Sequence, residues 1–283
     1  MPMLSKDRNG ERNVTLELTG VSHAYVGVRG ARLALEGLNL AVGTGEFVSL
    51  VGPSGCGKTT VLSLLAGLFP PSRGRVLLSG QPVRGPSARI GYMLQQDYLF
   101  PWRTIRDNVL IGFDIAGNRN AGASEAADAL LAELGLPDAG GRYPHELSGG
   151  MRQRAALART LIAGPDVLLL DEPFSALDMT IKLQLEDLVW ETLRKLGKTA
   201  VLVTHDLAEA AAMSERVVVL VADPGTIADV VDVPAELRRL KPTEARKAQG
   251  FNALFDRLWK RIGRDGGGAE EGGGVGDGEV PQE

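Results

Sequence analysis

Apolar residues follow two rhythms along this chain, and the alternation between them predicts its elements. Compact aliphatic runs lie at residues 47–51, 90–94, 167–170, 199–203 and 217–221, the pattern of strands buried on both faces. Residues 14–18, 76–78 and 227–233 give shorter strand signals, and residues 33–42 alternate in part through Leu33, Leu35, Leu38 and Leu40. Helical spacing appears at residues 59–68, which stop before Pro70-Pro71, and at residues 124–134, where Ser124 is the expected cap. It returns at residues 181–196, and at residues 243–262 with Phe251, Leu254, Phe255, Leu258 and Trp259 on one face. Strands alternating with helices predict an α/β fold whose sheet is mainly parallel, with some antiparallel strands. Residues 95–163 break the alternation with helical signals alone and read as a helical subdomain inserted into a sheet domain spanning 14–233. Residues 234–264 form a helical extension.

Composition changes this picture mainly at the ends. Of 283 residues, 44% are apolar and only 5% aromatic, so the core is aliphatic. The net charge of -4 owes much to residues 265–283, which carry six acids, eight glycines and no base. That tail cannot bury apolar area and is expected to be disordered. Without it the chain is close to neutral, so no basic stripe suggests a nucleic-acid partner. The single cysteine, Cys56, excludes an internal disulfide and fits a reducing compartment. Residues 1–13 are polar and show no secretory signal, and the longest aliphatic runs are too short to cross a bilayer. Work at a membrane would therefore need a partner.

The candidate chemistry begins with Gly52-Pro53-Ser54-Gly55-Cys56-Gly57-Lys58-Thr59-Thr60, placed between an expected strand and an expected helix. Glycines at this spacing let backbone N–H groups face a phosphate, and the helix start adds its positive end. Lys58 is placed to reach the β- and γ-phosphates, and the Thr59 hydroxyl to bind Mg²⁺. A second element is the aliphatic run 167–170 followed by Asp171 and Glu172. Carboxylates at the C-terminal end of a strand lie where sheets of this class bind ligands. Neighbouring strand residues point opposite ways. Asp171 is therefore expected to face Mg²⁺ and Glu172 a water attacking the γ-phosphate. These two elements together predict a magnesium-dependent nucleoside triphosphatase.

A third element, Leu147-Ser148-Gly149-Gly150-Met151-Arg152-Gln153-Arg154, combines a good helix cap with bare N–H groups at a helix start, a second anion site. It resembles the signature motif of the ATP-binding-cassette (ABC) family, with Met151 where glutamine is frequent. The resemblance runs from about Tyr25 to His205 and implies the phosphate-loop NTPase fold of ABC type. It implies that Gln95 senses Mg²⁺ and the attacking water, that His205 contacts the γ-phosphate, and that Tyr25 stacks on adenine. It also implies that the segment ending at Asp178 couples two ATP sites. The same resemblance implies that those sites belong to a head-to-tail homodimer, in which the glycine loop of one copy and residues 148–150 of the other enclose each ATP.

Three kinds of cassette protein remain: an importer subunit, an exporter or lipid-release subunit, and a non-transport protein. One cassette and no heptad run argue against the third. Pro101-Trp102 after Gln95, Phe174 after Asp171-Glu172-Pro173, and Pro224-Gly225-x-Ile227 resemble the nitrate, sulfonate and taurine importers. That likeness implies a peripheral subunit on the cytoplasmic face, paired with integral membrane permeases and, indirectly, an extracytoplasmic solute-binding protein. It does not choose among cargoes.

Overall fold

The computed structural model describes residues 13–28, 30–117 and 119–266, with side chains through residue 262. The polar N-terminal segment and nearly all of the glycine- and acid-rich tail lie outside these residues. Two sheets form the frame. One is antiparallel, in the order β2 (Gly30–Gly43), β1 (Val14–Gly27), β4 (Arg73–Leu78) and β5 (Gln81–Pro82). The other has six strands: β10 (Thr226–Asp232), β9 (Arg216–Val221), β3 (Phe47–Val51), β8 (Thr199–Val203), β7 (Val167–Asp171) and β6 (Ile90–Met93). Five of these strands run parallel, and only β10 pairs antiparallel, on β9.

The compact aliphatic runs are the central strands of the large sheet. In β7, Leu168 and Leu170 face one core while Val167 and Leu169 face another. In β8, Ala200 and Leu202 divide from Val201 and Val203 in the same way. This is the two-sided burial that continuous apolar runs require. The first core joins the sheet to the helical insertion, α2 (Ile105–Val109), α3 (Ile111–Ala116), α4 (Ala123–Glu133) and α5 (Gly149–Leu161), and to α6 (Met179–Lys195). The second lies between the two sheets and holds α1 (Lys58–Leu65). A third core, around Val217 and Val219, packs α7 (Leu207–Met213) against the C-terminal helices.

Several local expectations change. The first two strands have 14 residues each, because they form a long hairpin with a sheet of its own rather than edges of the parallel sheet. Tyr25 accordingly lies inside β1, opposite Arg32. The helix at 59–68 ends at Leu65. Ser124 is not a cap: α4 starts at Ala123, with Gly122 at its N-cap and no side-chain capping bond. The expected helix over 243–262 divides into α8 (Pro242–Ala245) and α9 (Phe251–Gly266), with Gly250 at φ +92 between them. α8 stops at its C-cap, Arg246, and the left-handed Gly250, directly before Phe251, re-aims the chain into α9. The apolar face of α9 then buries Phe251, Leu254 and Leu258 in the third core. Among the described residues, no helix is long and apolar enough to cross a membrane.

Candidate functional site

Parallel strands deliver their C-terminal ends to one edge of a sheet, and four neighbouring strands here do so with chemically loaded segments. β3 runs into Gly52, β8 into Thr204 and His205, β7 ends at Asp171 before Glu172, and β6 leads to Gln95. The strand order β3-β8-β7-β6 makes these ends neighbours. The carboxyl edge of a parallel sheet is where ligands bind in such folds.

The glycine loop is shaped by contacts on its inner side. Gly57, at φ +94, caps α1, and a Cβ there would overlap the Leu35 side chain. Only glycine fits that combination of left-handed backbone and close approach. The Lys58 ammonium donates to the Gly52 carbonyl (2.7 Å) and the Pro53 carbonyl (2.9 Å), folding the loop around itself. The first intrahelical bond of α1 runs from Val61 N–H to the Gly57 carbonyl. The N–H groups of Lys58, Thr59 and Thr60 thus have no helical acceptor, as helix starts require. Pro53, Ser54 and Gly55 are exposed, whereas Cys56 is fully buried. Burial pushes the Cys56 thiol up despite the nearby Lys58, so it is neutral and unsuited to act as a nucleophile. Gly225, noted in sequence beside Pro224, lies under this loop: it bridges Ala34 and Glu36 by backbone bonds, and a Cβ there would overlap the Cys56 carbonyl.

The two carboxylates separate as the sequence suggested, for a different reason. Asp171 is the last residue of β7, but Glu172 has φ +46 and leaves the strand in the left-handed region. Asp171 turns inward, accepting from Thr59 Oγ1 (3.5 Å) and Tyr92 Oη (3.2 Å). Its burial raises the carboxyl above its ordinary value, opposed by the bond from Tyr92. Glu172 Oε2 lies 3.1 Å from His205 Nδ1. Gln95 donates to Ser175 Oγ (3.2 Å), and Ser175 donates to the Glu172 carbonyl (3.0 Å). Gln95, Glu172 and His205 therefore share one hydrogen-bonded group, beside the Thr59–Asp171 pair. Tyr25 is half-exposed, its hydroxyl 3.1 Å from Thr60 Oγ1 and its ring edge-on to His23.

Residues 148–150 and Asp178 form a second group. Ser148 caps α5, accepting from Met151 N–H at 3.4 Å, and Asp178 caps α6, accepting from Ile181 N–H at 3.1 Å. Gly150 faces Ile181 so closely that a Cβ would overlap its Cγ2. The glycine lets the two helix starts meet, a packing role the anion-site reading did not include. None of the glycine loop's hydrogen bonds among the described residues goes to this segment. Three anchoring residues escaped the sequence reading. Tyr92 steadies Asp171, and its phenol is pushed up to about 12 by burial and by that carboxylate. Arg152 pairs with Asp97 (3.0 Å), and Gln153 donates to the Gln95 carbonyl (3.2 Å), tying α5 to the glutamine segment. A lone tyrosine in a strand carries no signal, but Arg152 and Gln153 stood inside the quoted motif.

The ABC transporter family model matches residues 35–175. An uncharacterized ABC transporter ATP-binding protein of Bacillus subtilis, YtlC, is 50% identical over 247 residues, covering 87% of this chain and 95% of that protein. The taurine import ATP-binding protein TauB of Escherichia coli is 42% identical over 207 residues, 73% of this chain and 81% of the relative. Among solved structures, the dimeric post-hydrolysis state of the ATP-binding cassette MJ0796 bound to ADP and Pi matches with TM-score 0.69 at 30% identity. It covers 78% of this chain and 99% of its own.

Proposed function

Because the chain belongs to the ABC transporter family, as an ATP-binding and ATP-hydrolysing transporter subunit, we propose that it powers an importer of a small solute of the nitrate, sulfonate or taurine class. Residues 14–233 are the ATP-binding domain in this reading, with residues 95–163 as its helical insertion. The observation that carries the reading is the convergence of Gly52, Gln95, Asp171, Glu172 and His205 at adjacent strand ends.

The loop from Gly52 through Thr60 takes the ATP phosphates on its free N–H groups, with Lys58 adding a positive charge. Tyr25 provides a ring for adenine, next to the start of α1. The Thr59 hydroxyl and the Asp171 carboxylate, 3.5 Å apart, are hard oxygen donors that fit Mg²⁺, with Gln95 alongside. Bound Mg²⁺ supplies neutralisation of charge on the phosphate oxygens. Glu172 accepts the proton of the attacking water, and His205 holds Glu172 on one side while reaching toward the γ-phosphate. Positioning and charge stabilisation carry most of phosphoryl transfer. Ser148, Gly149, Gly150 and Asp178 come from a second copy of the chain and close the site over the ATP. Support for the shared site comes from the absence, among the described residues, of a hydrogen bond between the glycine loop and residues 148–150.

The face for a membrane permease is the exposed apolar patch after Gln95. Trp102 is 72% exposed, with the Phe100 ring at 5.3 Å, and Tyr98 is exposed nearby. Arg103, Asp107, Asp114 and Arg119 form an ion-pair net that stiffens this region. A contiguous exposed aromatic group of this kind marks an interaction surface. The subunit then works at the cytoplasmic face of the membrane, with an extracytoplasmic binding protein delivering cargo. Affinity purification of the tagged chain from native membranes tests this. Co-purification of a multi-span membrane protein, lost in Trp102→Ala, supports it; recovery with ribosomes or DNA instead overturns it.

A further inference from the structure

The first turn of α6 touches more of the machinery than its sequence suggests. Asp178 caps it, Ile181 packs on Gly150, and Lys182 reaches across to the segment carrying His205. Lys182 is largely buried, with its ammonium 2.7 Å from Asp206 Oδ2 and 2.8 Å from Glu209 Oε2. Asp206 follows His205 directly. Its other oxygen caps α7, accepting from Ala208 N–H (2.8 Å) and Glu209 N–H (3.2 Å), while its own N–H donates to Thr204 Oγ1 (3.0 Å). The main chain after His205 is therefore held by the Asp206 carboxylate, whose second oxygen is held by Lys182, while the Asp206 N–H ties the segment back to Thr204. Behind Lys182 lies Glu186, fully buried, which Arg246, at the C-cap of α8, approaches to 2.6 Å.

Two physical facts make this lysine more than a surface ion pair. One partner, Glu209, is 2% exposed while Asp206 is 32% exposed, so removing the cation leaves the Glu209 carboxylate buried without its countercharge. Although burial alone would depress it, the ammonium is raised above its ordinary value by Glu209 and Asp206. It stays charged at any working pH.

We infer that Lys182 is a positioning residue for ATP hydrolysis: it sets the His205 segment against the start of α6, and so fixes His205 relative to Glu172 and to the Ser148 helix. This rests on the proposed role of His205. Displacement of a catalytic group by about 1 Å costs on the order of 100-fold in rate, so a partial release of the segment should lower kcat without much change in nucleotide affinity.

The test is steady-state ATP turnover of the full chain, with melting temperature measured in parallel. Lys182→Met should lower kcat by about tenfold or more while KM for MgATP stays within about threefold. Lys182→Arg, which keeps the cation, should recover most of the loss. If Lys182→Met does not fold, Asp206→Asn retains a capping oxygen while weakening the lysine bond, and should give the same kcat-specific loss. Unchanged kcat in a variant that merely melts earlier overturns the inference, as does a Lys182→Arg variant as impaired as Lys182→Met. His205→Ala separates the two levels. If that variant turns over normally, the role of His205 itself fails; if it is inactive while Lys182→Met is not, only the positioning claim fails.

Discussion

Glu172 and Gly57 both hold left-handed backbone at the mouth of the site, one as a glutamate at φ +46 and one as a glycine at φ +94. For a glutamate that conformation is uncommon and costs about 1–3 kcal/mol, a strain found mostly at functional sites. It turns the Glu172 carboxylate toward His205 while Asp171 stays buried under Tyr92. The sequence made both acids visible as candidates, and the expectation that they face different ways was right. The cause was not legible, since strand alternation and a left-handed residue predict the same divergence. For Gly57, both backbone and space demand glycine. Gly57→Ala should destabilise the protein by about 1–3 kcal/mol and weaken MgATP binding. Denaturant unfolding and nucleotide titration would show both; unchanged stability would mean the loop relaxes freely.

Elements meet through a few close contacts that a periodic pattern does not announce. α5 and α6 start side by side because Gly150 leaves room for Ile181. Gly150→Ala should cost about 1–3 kcal/mol through overpacking, and a second change, Ile181→Ala, should restore part of it. A double variant no more stable than Gly150→Ala would contradict this contact. Helices and buried strands were legible because long aliphatic runs and a cap such as Ser148 are local signals. The break between α8 and α9 at Gly250 was missed because amphipathic spacing continues across it. Also unreadable was the charge cluster linking α6, α7 and α8, whose members lie up to 64 residues apart in Lys182 and Arg246.

That cluster gives stability a particular pH dependence. Burial pushes the Glu186 carboxyl up to about 7, with Glu209 adding to the rise and Arg246 and Lys182 opposing it. An acid raised on folding binds more protons in the folded state, so its contribution is full below the unfolded value of about 4.3. The contribution then fades as pH rises through about 7. Glu186→Gln removes the titration while keeping the shape. Its melting temperature relative to the parent should climb between pH 5 and pH 8, whatever the offset between the two. A difference that stays level across that range would show that Glu186 titrates normally.

At the scale of the whole molecule, one parallel sheet edge gathers the chemistry of hydrolysis, and the helical insertion carries Ser148 at the start of α5. The two-sheet frame was only partly legible: the strands were found, but nothing local tells an antiparallel hairpin to build its own sheet. Each ATP in this account lies between the glycine loop of one copy and residues 148–150 of another, with Glu172 as the base. The most direct measurement is sedimentation of Glu172→Gln with and without MgATP, alongside its turnover. The expected result is a monomer without nucleotide, a dimer retaining one ATP per chain with MgATP, and turnover lowered by about 100-fold or more. A variant that stays monomeric with MgATP bound, or hydrolyses ATP at the parent rate, would contradict it.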